Sequence, residues 1–528
     1  MRKFFLRIVL PALIGTYFST ATAQVDKDVL NWYNSHKTGM STEKAYKYLK
    51  KKSAETVVVA VIDSGIDIEH EDLQGKIWTN TKEIAGNGID DDGNGYIDDV
   101  HGWNFLGNAD GTNLGPARLE ATRIYAKLKP RFESVESADD VAADDRKDYE
   151  LYVELKEEVE GNLTQYEGIL AQVQQMSQME PMLKGMVATM LDKEEFTEKD
   201  LKKFKPANPQ EEQQVQIGYM ILSGDFVSTM EEQAVAIQSM VDHHHNVDFD
   251  DRALVGDDYM DMSDLAYGNS DVEGPDALHG THVGGIIGAV RGNKIGGDGV
   301  ANNVLLMSLR AVPDGDEFDK DIALAIRYAV DNGADVINAS FGKAYAQMPE
   351  EVYEALRYAE ENDVLFVHAA GNSGQNLDDY PNYPANMFPF QSEPFTNYLS
   401  IGASTKNHDG NLAASFSNYS TTRVDVFAPG AEIYNTVPDN KYQELQGTSM
   451  AAPMVSGVAA LLKGYFPSLT MIEIRQIILE SATDFAETDQ DKPGDEAVVK
   501  FKTLSAVGGV VNVLEAVKLA EEKAALKK

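Results

Sequence analysis

The sequence predicts an α/β protein: a doubly wound, mostly parallel sheet with helices on both faces, carrying a helical acidic insertion. Three observations predict it. Continuous β-branched and apolar runs recur along the chain without polar alternation, as strands covered on both faces require. Segments of helical period separate these runs, and strand–helix–strand order implies parallel crossovers. Between residues 111 and 255 the strand signal stops, and an acid-rich helical pattern replaces it.

Taken in order, residues 1–23 read as a signal peptide. Arg2 and Lys3 give a positive start, Phe4 to Phe18 is largely apolar, and Ala21-Thr22-Ala23 is a cleavage site that leaves Gln24 first. The apolar run is shorter than the roughly 18–20 residues a membrane-spanning helix needs. The expected product is exported, to the periplasm or the medium. Residues 24–50 form a short N-terminal extension with Trp32, Tyr33, Tyr46 and Tyr48 among polar residues. The main domain is expected to be discontinuous, over 51–110 and 256–515, followed by a C-terminal tail at 516–528.

Val57-Val58-Val59-Ala60-Val61-Ile62 is the first buried strand, and Val304 to Val312 the second. Asp319 to Asn332 places Ile322, Ala325, Ile326 and Ala329 on one helical face. Strands follow at 334–338, 364–367, 399–403 and 424–427, with a helix at 350–362. In the insertion, Tyr152, Leu155, Val159, Leu163, Tyr166, Leu170 and Val173 step by three and four. Residues 132–160 hold twelve Asp/Glu against three Lys/Arg. This pattern suggests a hairpin of long helices with Met176, Met179, Met182, Met186 and Met190 at its contacts. Such an insertion could recruit substrate, restrict access or dimerise. A solvated decoration is the plainer expectation, because charge runs on helices are usually exposed faces. Oligomeric state is not readable from these patterns.

Composition narrows the function. The formal net charge of −39 repels nucleic-acid phosphates and anionic lipid surfaces, so neither is an expected partner. With no cysteine in the chain, disulfides, thiolate metal sites and cysteine nucleophiles do not arise. The candidate chemistry lies in polar residues where strands end, the place where ligands bind in open α/β sheets. Asp63 follows the first strand, and is either a turn cap or a functional carboxylate. His279 and His282 are three apart in a glycine-rich helical segment. No carboxylate or third histidine stands at metalloprotease spacing, so the pair reads as one general base beside one structural neighbour, or as two structural histidines. Ser449 opens a small-residue helix after Gly447, where the helix dipole and a free N–H suit a developing oxyanion, though serine is also a common cap. Asn372 ends another strand and could donate a second hydrogen bond. Ser340-Phe341-Gly342 ends a neighbouring one and could present backbone to a peptide.

Together these segments resemble the subtilisin-like serine proteases. The resemblance is carried by Val61-Ile62-Asp63-Ser64-Gly65-Ile66, by His279-Gly280-Thr281-His282-Val283-Gly284-Gly285 and by Gly447-Thr448-Ser449-Met450-Ala451-Ala452-Pro453. It covers about residues 51–110 and 256–515. It implies a subtilisin-like fold, an Asp63–His279–Ser449 triad in that chain order, Asn372 in the oxyanion hole, and Ser340, Phe341 and Gly342 as the substrate-backbone segment. The implied activity is a secreted serine endopeptidase acting on protein or peptide substrates. The insertion lies outside the family's usual core, and the short N-terminal segment departs from its longer inhibitory propeptide. A catalytically dead scaffold would have lost a triad residue, and none is lost. A peptide ligase working through the same acyl-enzyme carries the same residues.

A structural calcium site is also expected. Asp90, Asp92, Asn94 and Asp98 place oxygens at positions 1, 3, 5 and 9 of a glycine-rich loop, with the Tyr96 carbonyl at 7. His101 stands where a calcium loop of the EF-hand type has glutamate, so the likeness is incomplete. Asp72 and Asn293 match positions that contribute to a calcium site in the family. The run His243-His244-His245 reads as incidental rather than metal-binding.

Overall fold

The computed structural model describes residues 30–527 apart from 266 and 409. The expected signal peptide therefore lies outside the described residues.

Alternate side chains of the first strand enter two different cores. β1 is Val57–Asp63. Its Val57, Val59 and Val61 join one apolar cluster, while Ala60 and Ile62 join another on the opposite face. That is the period of two expected of a strand covered on both sides. The remaining strands of the main sheet are β2 (Gly102–Asn104), β3 (Val304–Arg310), β4 (Val336–Ala339), β5 (Leu365–Ala369), β6 (Tyr398–Ser404) and β7 (Val426–Pro429). β8 (Ile433–Val437) and β9 (Lys441–Leu445) form a separate hairpin. The chain returns to the main sheet at β10 (Thr483–Asp484), makes a small hairpin of β11 (Asp489–Asp491) and β12 (Val498–Lys500), and closes with β13 (Gly509–Val510).

The nine strands of the main sheet lie in the order β10–β13–β7–β6–β5–β4–β1–β3–β2. All pairs are parallel except β10 with β13. After β3 the chain crosses β1 to start β4, so the sheet reverses its winding at β1. The carboxyl end of β1 is thus a topological switch point, where such sheets leave a crevice.

One face is covered by helices Leu278–Gly288, Thr448–Tyr465, Met471–Glu480 and Val513–Ala525, whose buried residues share a cluster with the valines of β1. Helices Asp319–Asp331 and Pro349–Glu361 cover the other. The Thr448–Tyr465 helix is buried along nearly its whole length. Its small residues permit this: a side chain at Gly457 would meet the Val300 side chain at 2.6 Å.

The N-terminal extension is part of this core. Tyr33 is fully buried, and its hydroxyl donates to the Asp298 carbonyl (3.1 Å). Trp32 Nε1 donates to the Glu432 carbonyl (2.9 Å). Helix Thr42–Leu49 packs on helix Val513–Ala525, and the Tyr48 hydroxyl donates to Glu521 (2.5 Å). The boundary set at 515/516 therefore falls inside a packed helix rather than at the start of a tail.

The insertion is helical, but it is not a hairpin of long helices. One helix, Arg146–Gln178, runs for 33 residues. Four shorter ones follow: Glu180–Met190, Glu198–Lys203, Pro209–Ser223 and Asp225–Ser239. The breaks have local causes. Pro181 and Pro209 lack an N–H and sit in first turns, while Gly224 adopts φ +84° between two helices. Tyr152, Leu155, Val159 and Val173 are buried as the period predicts. Met176 and Met190 pack on apolar clusters as expected, while Met182 and Met186 are exposed. A buried charge cluster pins the insertion to the sheet. Lys343 Nζ lies 2.7 Å from Asp319 and 3.3 Å from Glu120, which also pairs with Arg123. Burial opposes the charged form of Glu120, but these two cations outweigh it and hold its carboxyl low. Among the described residues, no helix is long and apolar enough to cross a membrane.

Candidate active site

Asp63 is the last residue of β1 and is 1% exposed. Its Oδ1 accepts from the Ser64 N–H (2.8 Å) and lies 2.6 Å from His279 Nδ1. His279 is the second residue of helix Leu278–Gly288. That helix can approach the strand end because residue 280 is glycine: a Cβ there would stand 2.1 Å from the Gly65 carbonyl oxygen. A carboxylate acceptor fixes Nδ1 as the protonated nitrogen and leaves Nε2 free to accept a proton. Burial disfavours the imidazolium, but the Asp63 charge and hydrogen bond outweigh burial and raise the His279 pKa.

His282 behaves differently. Its Nε2 donates to the carbonyls of Ile433 (3.0 Å) and Gln443 (3.2 Å), and burial pushes its pKa down to about 3. It is a neutral structural histidine, so the two histidines do not make a metal pair.

Ser449 lies in the first turn of helix Thr448–Tyr465, so its N–H has no helical partner. Register links it to Asp63: β1 pairs β4 with Ile62 opposite Ala339, which sets Ser340 beside Asp63. Ser340 Oγ donates to the Ser449 carbonyl (2.9 Å), and Ser449 Oγ donates to the Ser340 carbonyl (3.1 Å). The structure thus joins Asp63 to His279 and Ser449 to Ser340. The Ser449 hydroxyl is bonded to backbone rather than to the imidazole. Catalytic hydrogen bonds of this kind often tighten only when substrate binds.

Asn372 follows β5. Its Oδ1 accepts from the Thr448 N–H (2.8 Å) and hydroxyl (3.0 Å), which turns its Nδ2 the other way. A Cβ placed on Gly447 would lie 3.3 Å from that Nδ2 and 3.6 Å from the Ser449 nitrogen. Glycine therefore keeps open a space flanked by two N–H donors. Ser340, Phe341 and Gly342 line a cleft of about 830 Å³ together with Asp63 and His279.

The far side of this cleft was not legible in the sequence. Val235, Gln238, Ser239 and His243 of the insertion line it, all at least 36 residues before the motif that begins at His279. No local signal marks the first three, and His243 stood out only as part of a histidine run that reads as incidental. The three adjacent histidines do not converge: His244 Nε2 lies 3.3 Å from Asp314, while the His245 ring stacks on Tyr166.

In the acidic loop, Asp90 and Asp92 come together with Glu83, their carboxylate oxygens within 4.8 Å of one another. Asp98 is not part of this group, and Asn94 joins it through its backbone N–H, which donates to Asp90 and Asp92. Asp98 accepts from the Asn87 and Gly88 N–H groups, and Asn94 Nδ2 donates to Asp99. Glu83 was missed because it precedes the loop. The buried Glu83 Oε2 has no hydrogen-bond partner, an orphaned oxygen that suits a cation. At the second site Asn293 Nδ2 donates to Asp72 Oδ1 (2.5 Å). Asp72 Oδ2 is buried without a partner, and burial raises its pKa to about 6.

Comparison with known proteins assigns the chain to a family. The profile of the Subtilase family matches residues 54–498. A thermophilic serine proteinase of Bacillus sp. (strain AK1) is 36% identical over 258 residues, 49% of this chain and 58% of that protein. Subtilisin BL of Lederbergia lenta is 36% identical over 40% of this chain and 72% of its own. The alkaline elastase YaB of Bacillus sp. (strain YaB) is 36% identical, over 40% of this chain and 52% of its length. The chain thus spans little more than half the length of some of these relatives. A family profile that covers most of the chain shows that the chain belongs to the subtilase family of subtilisin-like serine peptidases.

Proposed function

We propose that the protein is an exported endopeptidase that hydrolyses peptide bonds through an acyl-enzyme on Ser449. The observation that carries this reading is the 2.6 Å contact between buried Asp63 and His279 Nδ1, which leaves Nε2 as the base. A rotation about the Ser449 Cα–Cβ bond frees Oγ from the Ser340 carbonyl and offers its proton to His279. Oγ then attacks the scissile carbonyl. The Asn372 side-chain N–H and the Ser449 backbone N–H receive the oxyanion in the space above Gly447. His279, held as the imidazolium by Asp63, protonates the leaving amine. Water activated by the same imidazole releases the acyl group. Ser340, Phe341 and Gly342 hold the substrate backbone along the cleft.

Calcium fits the donor sets as a structural ion. Glu83, Asp90 and Asp92 would hold one ion, and Asp72 with Asn293 would contribute to a second. Each site carries a buried carboxylate oxygen that lacks a partner. The ion's part is to neutralise those carboxylates and fix their loops.

The test is a fluorophosphonate probe on the purified chain and its Ser449→Ala variant, with the labelled residue located by mass spectrometry. Labelling of Ser449 in the parent alone, with casein cleaved by the parent alone, is expected. Casein cleavage that persists in the variant would refute the assignment.

A further inference from the structure

One wall of the reaction cleft comes from outside the family's core. The helix Asp225–Ser239 and the turn Met240–His244 place Val235, Gln238, Ser239 and His243 along it. Phe341 and Gly342 stand among the other lining residues, with Val312 and Pro313 from the segment after β3. The helix is clasped to that segment at a single residue. Ser239 Oγ donates to Asp314 Oδ2 (2.9 Å), and His244 Nε2 lies 3.1 Å from the Asp314 carbonyl and 3.3 Å from Oδ1. The Leu119 N–H donates to the His244 carbonyl (3.1 Å), which ties the end of the insertion to its beginning. Behind this wall, Phe226 and Met230 anchor the helix in the insertion's own core. Val235 is left 72% exposed at the cleft.

We propose that this helix is a specificity wall of the substrate site and selects apolar side chains on the acyl side of the scissile bond. The inference rests on the reading of Ser449 as the nucleophile. A peptide extended along Ser340–Gly342 alternates its side chains, so every second one leaves the backbone on the same side. Val235, Val312, Pro313 and Phe341 offer such a side chain an apolar surface. A leucine seated there would cover the exposed Val235 and the apolar groups around it, a gain that a lysine, which keeps its charged end in water, matches only in part.

The experiment uses the full chain, Val235→Asp, and Val153→Asp as a control on an exposed face of the same insertion. Fluorogenic peptides are paired, identical except for Leu or Lys at each acyl-side position in turn. In the parent, the Leu form should be favoured at one position by at least about tenfold in kcat/KM. Val235→Asp should reduce that ratio at least about tenfold, while Val153→Asp keeps the parent ratio. A ratio is insensitive to the fraction of folded enzyme, so a merely structural effect would not move it. An unchanged ratio in Val235→Asp, or no apolar preference in the parent, overturns the proposal when Ser449 still labels. Absence of labelling in the parent overturns the reading beneath it, and the wall with it.

Discussion

Asp63→Asn removes one negative charge and nothing of the shape. Asp63 Oδ1 accepts from both the Ser64 N–H (2.8 Å) and His279 Nδ1 (2.6 Å). If the amide NH₂ takes the Oδ1 position, it gives up the Ser64 bond, donates to Nδ1 and favours the tautomer with the proton on Nε2. The base is then blocked, and the imidazolium has lost its counter-charge. The same change in a Ser-His-Asp triad lowers kcat about 10⁴-fold, roughly 5 kcal/mol of barrier. The acid limb of kcat/KM supplies a second reading. The neutral imidazole is the active form, and the Asp63 charge raises the His279 pKa above its ordinary value. The parent should therefore lose activity on acidification at a higher pH than a free imidazole would dictate, and Asp63→Asn should move that limb downward. Stability follows the opposite side of the same linkage. The imidazolium–carboxylate pair stabilises the fold below the unfolded histidine pKa of about 6.5 and ceases to do so as pH rises through the folded value. The assay is kcat/KM against pH on a peptide amide for both proteins. A loss below about tenfold, or a limb that stays in place, would refute the assignment of Asp63 as the partner of the base.

Asn372→Ala should lower kcat about 10²–10³-fold with little change in KM, a range carried over from the corresponding donor in subtilisin. Steady-state kinetics on the same peptide decide it, and a loss confined to KM would contradict the role. Chelation should lower the melting temperature. An ion present at a hundredfold excess over its Kd stabilises by about 2.7 kcal/mol, and Glu83→Gln should blunt that response in a calcium titration followed by scanning calorimetry. Tyr33→Ala should cost about 3–5 kcal/mol, because a fully buried ring and its hydrogen bond to Asp298 are lost together. Denaturant melts measure this, and a cost under about 1 kcal/mol would mean the extension is not part of the cooperative core.

The sheet was legible because its physics is local. A run such as Val57 to Ile62 has no polar face to give to solvent, so only a doubly covered strand accommodates it. Strand ends then marked the candidate positions, and Asp63, Ser340 and Asn372 stand at or just beyond the ends of their strands. The limits were equally physical. The period through Val173 indicated helix but not where helices stop, which Pro181 and Gly224 decide. At the seventh strand, 424–427 was expected and Val426–Pro429 is observed, since the Val424 N–H donates to the Ser420 carbonyl instead of joining the ladder. Val235 and Glu83 were invisible as site residues, because each gains its meaning from a neighbour far along the chain or outside its motif.

The pairing of helix Thr42–Leu49 with helix Val513–Ala525 has a consequence for how the molecule comes into being. Tyr48 and Glu521 are 473 positions apart, and the core they close also holds the helix that begins beside Ser449. Contacts of such separation form late, since the intervening chain must first be made and its ends brought together. While the last helix is still being synthesised, the apolar sides of Trp32, Tyr33 and Leu49 lack their cover. A nascent chain therefore already contains Asp63 and His279 without a finished scaffold around Ser449. The order of synthesis delays the closing of this core until helix Val513–Ala525 has been made.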